Sequence, residues 1–161
     1  MSFVWCEMKD LIGRVIKEIW IHEENDIVAF ITAKDSQEET LYYVCEGECC
    51  SHSYIQHWEG IDSLISATIK KVSVIEMDEI TDSNDDRTLV YGVKFVTNKG
   101  RSTLEFRNTS NGYYGGNMVR LYKQRSYIEN DKPEPRYGQD ESQPYEPIGF
   151  PEQWKKLTED F

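Results

Sequence analysis

Leu11-Ile12-Gly13-Arg14-Val15-Ile16-Lys17-Glu18-Ile19-Trp20-Ile21 is echoed 53 residues later by Leu64-Ile65-Ser66-Ala67-Thr68-Ile69-Lys70-Lys71-Val72-Ser73-Val74. The echo continues outward. Phe30-Ile31-Thr32-Ala33-Lys34 matches Phe95-Val96-Thr97-Asn98-Lys99, and Thr40-Leu41-Tyr42-Tyr43 matches Thr103-Leu104-Glu105-Phe106. Self-similarity over such a span constrains architecture more tightly than local propensity does. Alternating apolar positions such as Val15, Ile19 and Ile21 have the two-residue period of strands. Met8 to Ile12 and Ile61 to Ile65 each read as a short opening turn of helix, with Asp62 placed to cap the second. Asn98-Lys99-Gly100 is a tight hairpin signal. The pattern predicts an α+β, mostly β domain over residues 1–122. It consists of two pseudo-repeats, about 8–52 and 61–110, each a short helix plus three antiparallel strands. Together they form a curved sheet or a small sandwich or barrel. Trp20, Phe30, Tyr42, Tyr91, Phe95 and Phe106 read as core and cross-strand pairs.

Composition bounds the rest. A chain of 161 residues has room for one domain with a substantial core. All five prolines fall after residue 130, so residues 123–161 read as a polar, Pro-rich extension. It ends in a short amphipathic helix over 151–160, started by Pro151 and carrying Trp154 and Leu157 on one side. Tyr137, Tyr145, Trp154 and Leu157 are its candidate partner-binding residues, to be clamped on the domain or offered to another protein. No apolar run is long enough for a membrane helix and no basic-then-apolar segment opens the chain, so a soluble, cytoplasmic protein is expected. The net charge of −11, from 18 basic and 29 acidic side chains, disfavours direct binding of DNA or RNA. Glu76, Asp78, Glu79, Asp82, Asp85 and Asp86 read as one acidic, solvated loop.

Two stretches hold the residue types that chemistry uses. Cys45, Cys49, Cys50, His52 and His57 offer thiolate and imidazole ligands, and zinc is the one cofactor they would take. Their spacing lacks separated Cys-x-x-Cys pairs, and free thiols that simply pack in a core are the commoner outcome. A nucleophilic cysteine fits less well, because Glu46 and Glu48 would raise its pKa. The second stretch runs from Arg107 to Gly116. Its Arg107, Asn108, Ser110, Asn111, Tyr113 and Tyr114 combine a cation, amides, a hydroxyl and rings beside flexible glycines, a set that can cradle a small nucleotide or phosphate. It lacks the Gly-Lys-Ser/Thr ending of a P-loop, and also reads as a bulged loop whose glycines take positive φ.

Leu11-Ile12-Gly13 opening a strand, the Glu48-Cys49-Cys50-Ser51 turn, Gly60 to Ile65, and above all Glu105 to Gly116 resemble a family of small uncharacterised proteins found mainly in bacteriophages and their bacterial hosts. The resemblance covers roughly residues 8–122. That family carries no assigned activity, so it supplies no catalytic residue. The Pro-rich extension departs from its usual short form. A phage context implies a non-enzymatic interaction protein that binds and inhibits a host factor, of a defence system or of nucleic-acid processing. The alternatives are a small-ligand or nucleotide-signal sponge, and a Cys/His metal-binding protein.

Overall fold

The computed structural model describes residues 7–47, 51–81, 86–110, 116–124, 139–144, 150 and 152–161. Eleven strands account for most of them: β1 (Val15–His22), β2 (Ile27–Lys34), β3 (Gln37–Gly47), β4 (Ser51–Glu59), β5 (Ile69–Thr81), β6 (Arg87–Thr97), β7 (Arg101–Ser110), β8 (Gly116–Arg120), β9 (Tyr122–Gln124), β10 (Gln139–Pro144) and β11 (Trp154–Lys156). They form a five-stranded sheet in the order β11-β1-β2-β3-β8, a four-stranded sheet in the order β4-β7-β6-β5, and a separate β9-β10 pair. All of these pairings are antiparallel.

The expected α+β class is therefore wrong: the fold is all-β, in two sheets that do not close into a barrel. The predicted opening helices are 3-10 turns, Glu7–Leu11 and Ile61–Ser63. Each is cut off before an i→i+4 ladder can establish itself. Left-handed residues follow both turns, Gly13 at φ 86° and Ser66 at φ 63°. Asp62 does not cap the second turn; Gly60 stands at the N-cap without a side-chain bond. Gly60 is required there, since its φ is +77° and an added Cβ would fall 2.4 Å from the Arg101 carbonyl oxygen. The predicted C-terminal helix is also absent. Trp154–Lys156 instead pairs with the edge of β1, in the register Trp20↔Lys156 and His22↔Trp154. A helix of ten residues is marginal alone, whereas an open sheet edge offers a ready row of main-chain partners.

β1-β2-β3 and β5-β6-β7 are both antiparallel meanders, and each lies in its own sheet. Their following strands cross over. β4 leaves the first meander to pair with β7, and β8 leaves the second to pair with β3. The sheets meet at a corner built from reciprocal main-chain hydrogen bonds. Gly13 N–H donates to Ile69 O (2.8 Å) and Ser66 N–H to Ile16 O (2.7 Å). Ile16 N–H donates to Ala67 O (2.9 Å) and Ile69 N–H to Arg14 O (3.0 Å). A Val15↔Thr68 bridge lies between them.

The core fills the space between the sheets. Phe30, Tyr43 and Leu41 face Trp58, Phe95 and Phe106 from the opposite sheet, all six buried. The Trp58 and Phe95 rings stack at 6.1 Å, and Phe30 meets Trp58 edge-on at 5.8 Å. The indole N–H of Trp58 donates to Ser102 Oγ at 2.9 Å, and that hydroxyl donates to Glu59 O. The largest buried ring thus leaves no polar atom unsatisfied.

Leu11 and Leu64 occupy matching, fully buried places at the corner, whereas Ile12 is 41% exposed. Urea unfolding is expected to show Leu11→Ala and Leu64→Ala each costing about 2–5 kcal/mol. Ile12→Ala should stay within about 0.5 kcal/mol of the parent.

Candidate functional site

Strand alternation decides where the sequence-nominated residues go. Along β7, Asn108 and Ser110 face the interior, while Arg107 faces outward. Asn108 is fully buried and donates to Ser51 Oγ (3.0 Å) and Ser53 Oγ (2.8 Å) on β4. Arg107 Nε pairs with Glu105 at 2.9 Å. The two side chains most suited to a ligand therefore sit on opposite faces of one sheet. Asn111, Tyr113 and Tyr114 lie outside the described residues.

The thiol and imidazole candidates also separate. Cys45 is buried on β3, where its thiol donates to Met118 Sδ at 2.8 Å. His52 and His57 are exposed on β4, in the other sheet, with His52 stacked on Tyr54 at 5.3 Å. Cys49 and Cys50 lie outside the described residues. A different trio comes together at the β1–β2 turn. There, single ligand atoms of His22, Glu24 and Asp26 lie within 4.8 Å of one another. His22 Nδ1, however, already accepts the Glu24 main-chain N–H at 3.2 Å, so its lone pair is committed.

The C-terminal candidates serve the domain itself. Leu157 is buried and its N–H donates to Ile19 O. Trp154 meets His22, Tyr42 and Phe150 edge-on, and Phe150 stacks flat on Trp20 at 4.6 Å. Lys156 pairs with Glu18 at 2.8 Å. Together with the Trp20 indole, it holds the Glu18 carboxyl below its ordinary pKa. Tyr137 and Tyr145 lie outside the described residues.

Two surface features were not read from the sequence. Glu76, Asp78 and Glu79 are not in a loop; they stand on the outer half of β5, an edge strand of 13 residues. Asp82 and Asp85 lie outside the described residues. Among the described strands β5 pairs only with β6. Ile75, Met77 and Ile80 there are 38%, 47% and 43% exposed. Met77 lies across the bare backbone of Gly92 on β6. At the other end of the same sheet, a cavity of about 600 Å³ is lined by Lys71, Lys94 and Arg101. The signal for the apolar row was the Ile75-x-Met77-x-x-Ile80 spacing, masked by its acidic neighbours.

Fold and site together define a two-sheet, all-β domain whose apolar β5 edge has no partner among the described strands, with a separate cationic hollow. Residues 9–119 match the family described as "Domain of unknown function (DUF7448)", and the chain belongs to that family. No curated protein and no solved structure matches the chain.

Burial, aided by Asp26, pushes the Cys45 thiol well above its ordinary 9.0. Burial likewise raises the Tyr91 phenol above its ordinary 10.0, against a hydrogen bond from the Gly116 N–H that lowers it. A raised folded pKa gives stability that is intact below the unfolded pKa and lost as pH climbs toward the folded value. Stability should therefore fall above about pH 9, where the unfolded thiol ionises first. In denaturant melts across pH 8–10.5, Cys45→Ala is expected to have a shallower alkaline decline than the parent, whatever its absolute stability.

Proposed function

We propose that this chain is a non-enzymatic interaction protein of phage origin that occupies a host protein through the open edge of β5. The observation that carries this reading is the outer side of β5, which pairs with no other described strand, beside Ile75, Met77 and Ile80. An exposed sheet edge recruits an extended segment by main-chain hydrogen bonds, and side chains on the flanking face give it selectivity. Glu76 and Asp78, beside a Glu79 already paired with Arg87, determine which segment fits. Two copies of β5 would set these carboxylates against each other, as would an acidic target. A partner strand that alternates apolar and basic residues meets both halves of the pattern.

The net charge of −11 supports the same choice by drawing a basic target from a distance. The target is a factor of a host defence system or of nucleic-acid processing, met in the host cytoplasm. Many such proteins present basic surfaces to their own anionic substrates. Inhibition then follows from occupancy, without any bond being made or broken.

Met77→Lys and Ile80→Lys, both at exposed positions, should leave the melting temperature within about 2 °C. Each should weaken the complex with a host protein retained by the parent chain at least tenfold, measured by calorimetry on the purified pair. Hydrogen exchange in that complex should slow at residues 74–81. Unchanged exchange there, with the variants still binding at full strength, would refute the edge as the docking surface.

A further inference from the structure

Several cations on this acidic chain are neutralised by carboxylates. Arg14 and Arg120 pair with Glu39, Lys17 with Glu38, Arg87 with Glu79, Arg107 with Glu105 and Lys156 with Glu18. Lys71, Lys94 and Arg101 have no such partner among the described residues, yet all three line the cavity of about 600 Å³ on the outer face of the four-stranded sheet.

Strand register brings them together. Ser73, Lys94 and Thr103 stand opposite one another across β5, β6 and β7. One step along the same face, Lys71, Val96 and Arg101 form the next row. Neighbouring strands are about 4.8 Å apart and same-face positions on one strand about 7 Å apart. Lys94 is thus roughly 8 Å, backbone to backbone, from each of the other two cations. Side chains of this length converge easily over such a span. The hydroxyls of Ser73 and Thr103 line the same hollow, and Val96 supplies an apolar surface between the two outer cations.

We propose that this hollow is a binding site for a small molecule carrying a diphosphate group. Three cations match the roughly threefold negative charge of a terminal diphosphate, and the two hydroxyls add neutral donors to its oxygens. The rim sets the size limit. Glu59 and Asp160 border the cavity on the β4 side, and Asp160 is fixed there by the Ile61 N–H at 2.8 Å. A long phosphodiester chain would have to pass these carboxylates and the acidic surface beyond them. A compact anion stays within a Debye length, about 8 Å, of the three cations and feels mainly their field. The diphosphate can be free pyrophosphate or the tail of a nucleoside diphosphate, whose flat ring would rest on Val96.

Titration calorimetry on the full chain, in buffer containing chelator, tests this with four probes: ADP, inorganic pyrophosphate, adenosine and a twelve-residue oligothymidylate. Saturable 1:1 binding of ADP or pyrophosphate is expected, and the tighter of the two names the source. Lys94→Gln and Arg101→Gln should each weaken it at least tenfold with an unchanged melting temperature. Lys155→Gln, on an exposed residue of β11 outside the cavity, should change it less than twofold. Amide resonances of Ser73, Val96 and Thr103 should shift on titration. Absence of saturable binding, adenosine binding as tightly as ADP, or tighter binding of the oligonucleotide would overturn the proposal. So would full affinity in Lys94→Gln, or resonance shifts confined to the Arg107 region.

Discussion

Four main-chain hydrogen bonds at one corner govern the whole arrangement. They join the entry to β1, at Gly13 to Ile16, with the entry to β5, at Ser66 to Ile69, and each bond has a counterpart running the other way. The left-handed turns at Gly13 and Ser66 exist to make this exchange. Each reverses the chain so that donors and acceptors of one sheet face those of the other, where they would otherwise be orphaned as the sheets diverge. With the corner fixed, Leu11, Ile16, Leu64 and Ile69 close over it without exposure. The Trp58–Phe95–Phe30 ring group then fills the widening space behind it.

The two three-stranded meanders were legible in the sequence because they depend on local alternation. Phe30 and Phe95, or Thr32 and Thr97, occupy matching buried places in the two sheets, as their matching neighbourhoods predict. The helices were not legible for a physical reason. Met8 to Leu11 and Ile61 to Leu64 have helical spacing, but what decides a short segment is whether its ends meet main-chain partners elsewhere. The C-terminal segment makes the same point: Trp154 and Leu157 suit one side of a helix, yet the vacant edge of β1 was the stronger attraction. β4 was missed because its two histidines, read together with the cysteines that precede them in sequence, invited a chemical reading. Its inward residues, Ser53, Ile55 and Trp58, were the structural message.

The functional surfaces escaped notice because neither is contiguous in sequence. Lys71, Lys94 and Arg101 come from three strands, and only the register of β5, β6 and β7 reveals them as neighbours. In the second candidate stretch, the described residues Arg107 to Ser110 are divided between core and solvent by the pleat. One sheet consequently has two chemically different ends. Its cationic hollow lies near the corner, and its acidic, apolar edge lies toward the far end of β5. The field of a protein with net charge −11 is thereby locally inverted at one place and reinforced at another.

The crossing of β4 and β8 between the sheets bears on how the polypeptide matures. On the ribosome, β4 is made before its sole described neighbour β7, and β3 must wait longer still for β8. The first half can therefore curl into a meander but has no means of sealing it. Completion requires sequence-distant segments to find each other after most of the chain has emerged, the kind of long-range closure that slows folding. Interlocking of this sort makes the mature domain an all-or-nothing object. A break anywhere between the halves would yield two pieces that each hold the other's missing wall.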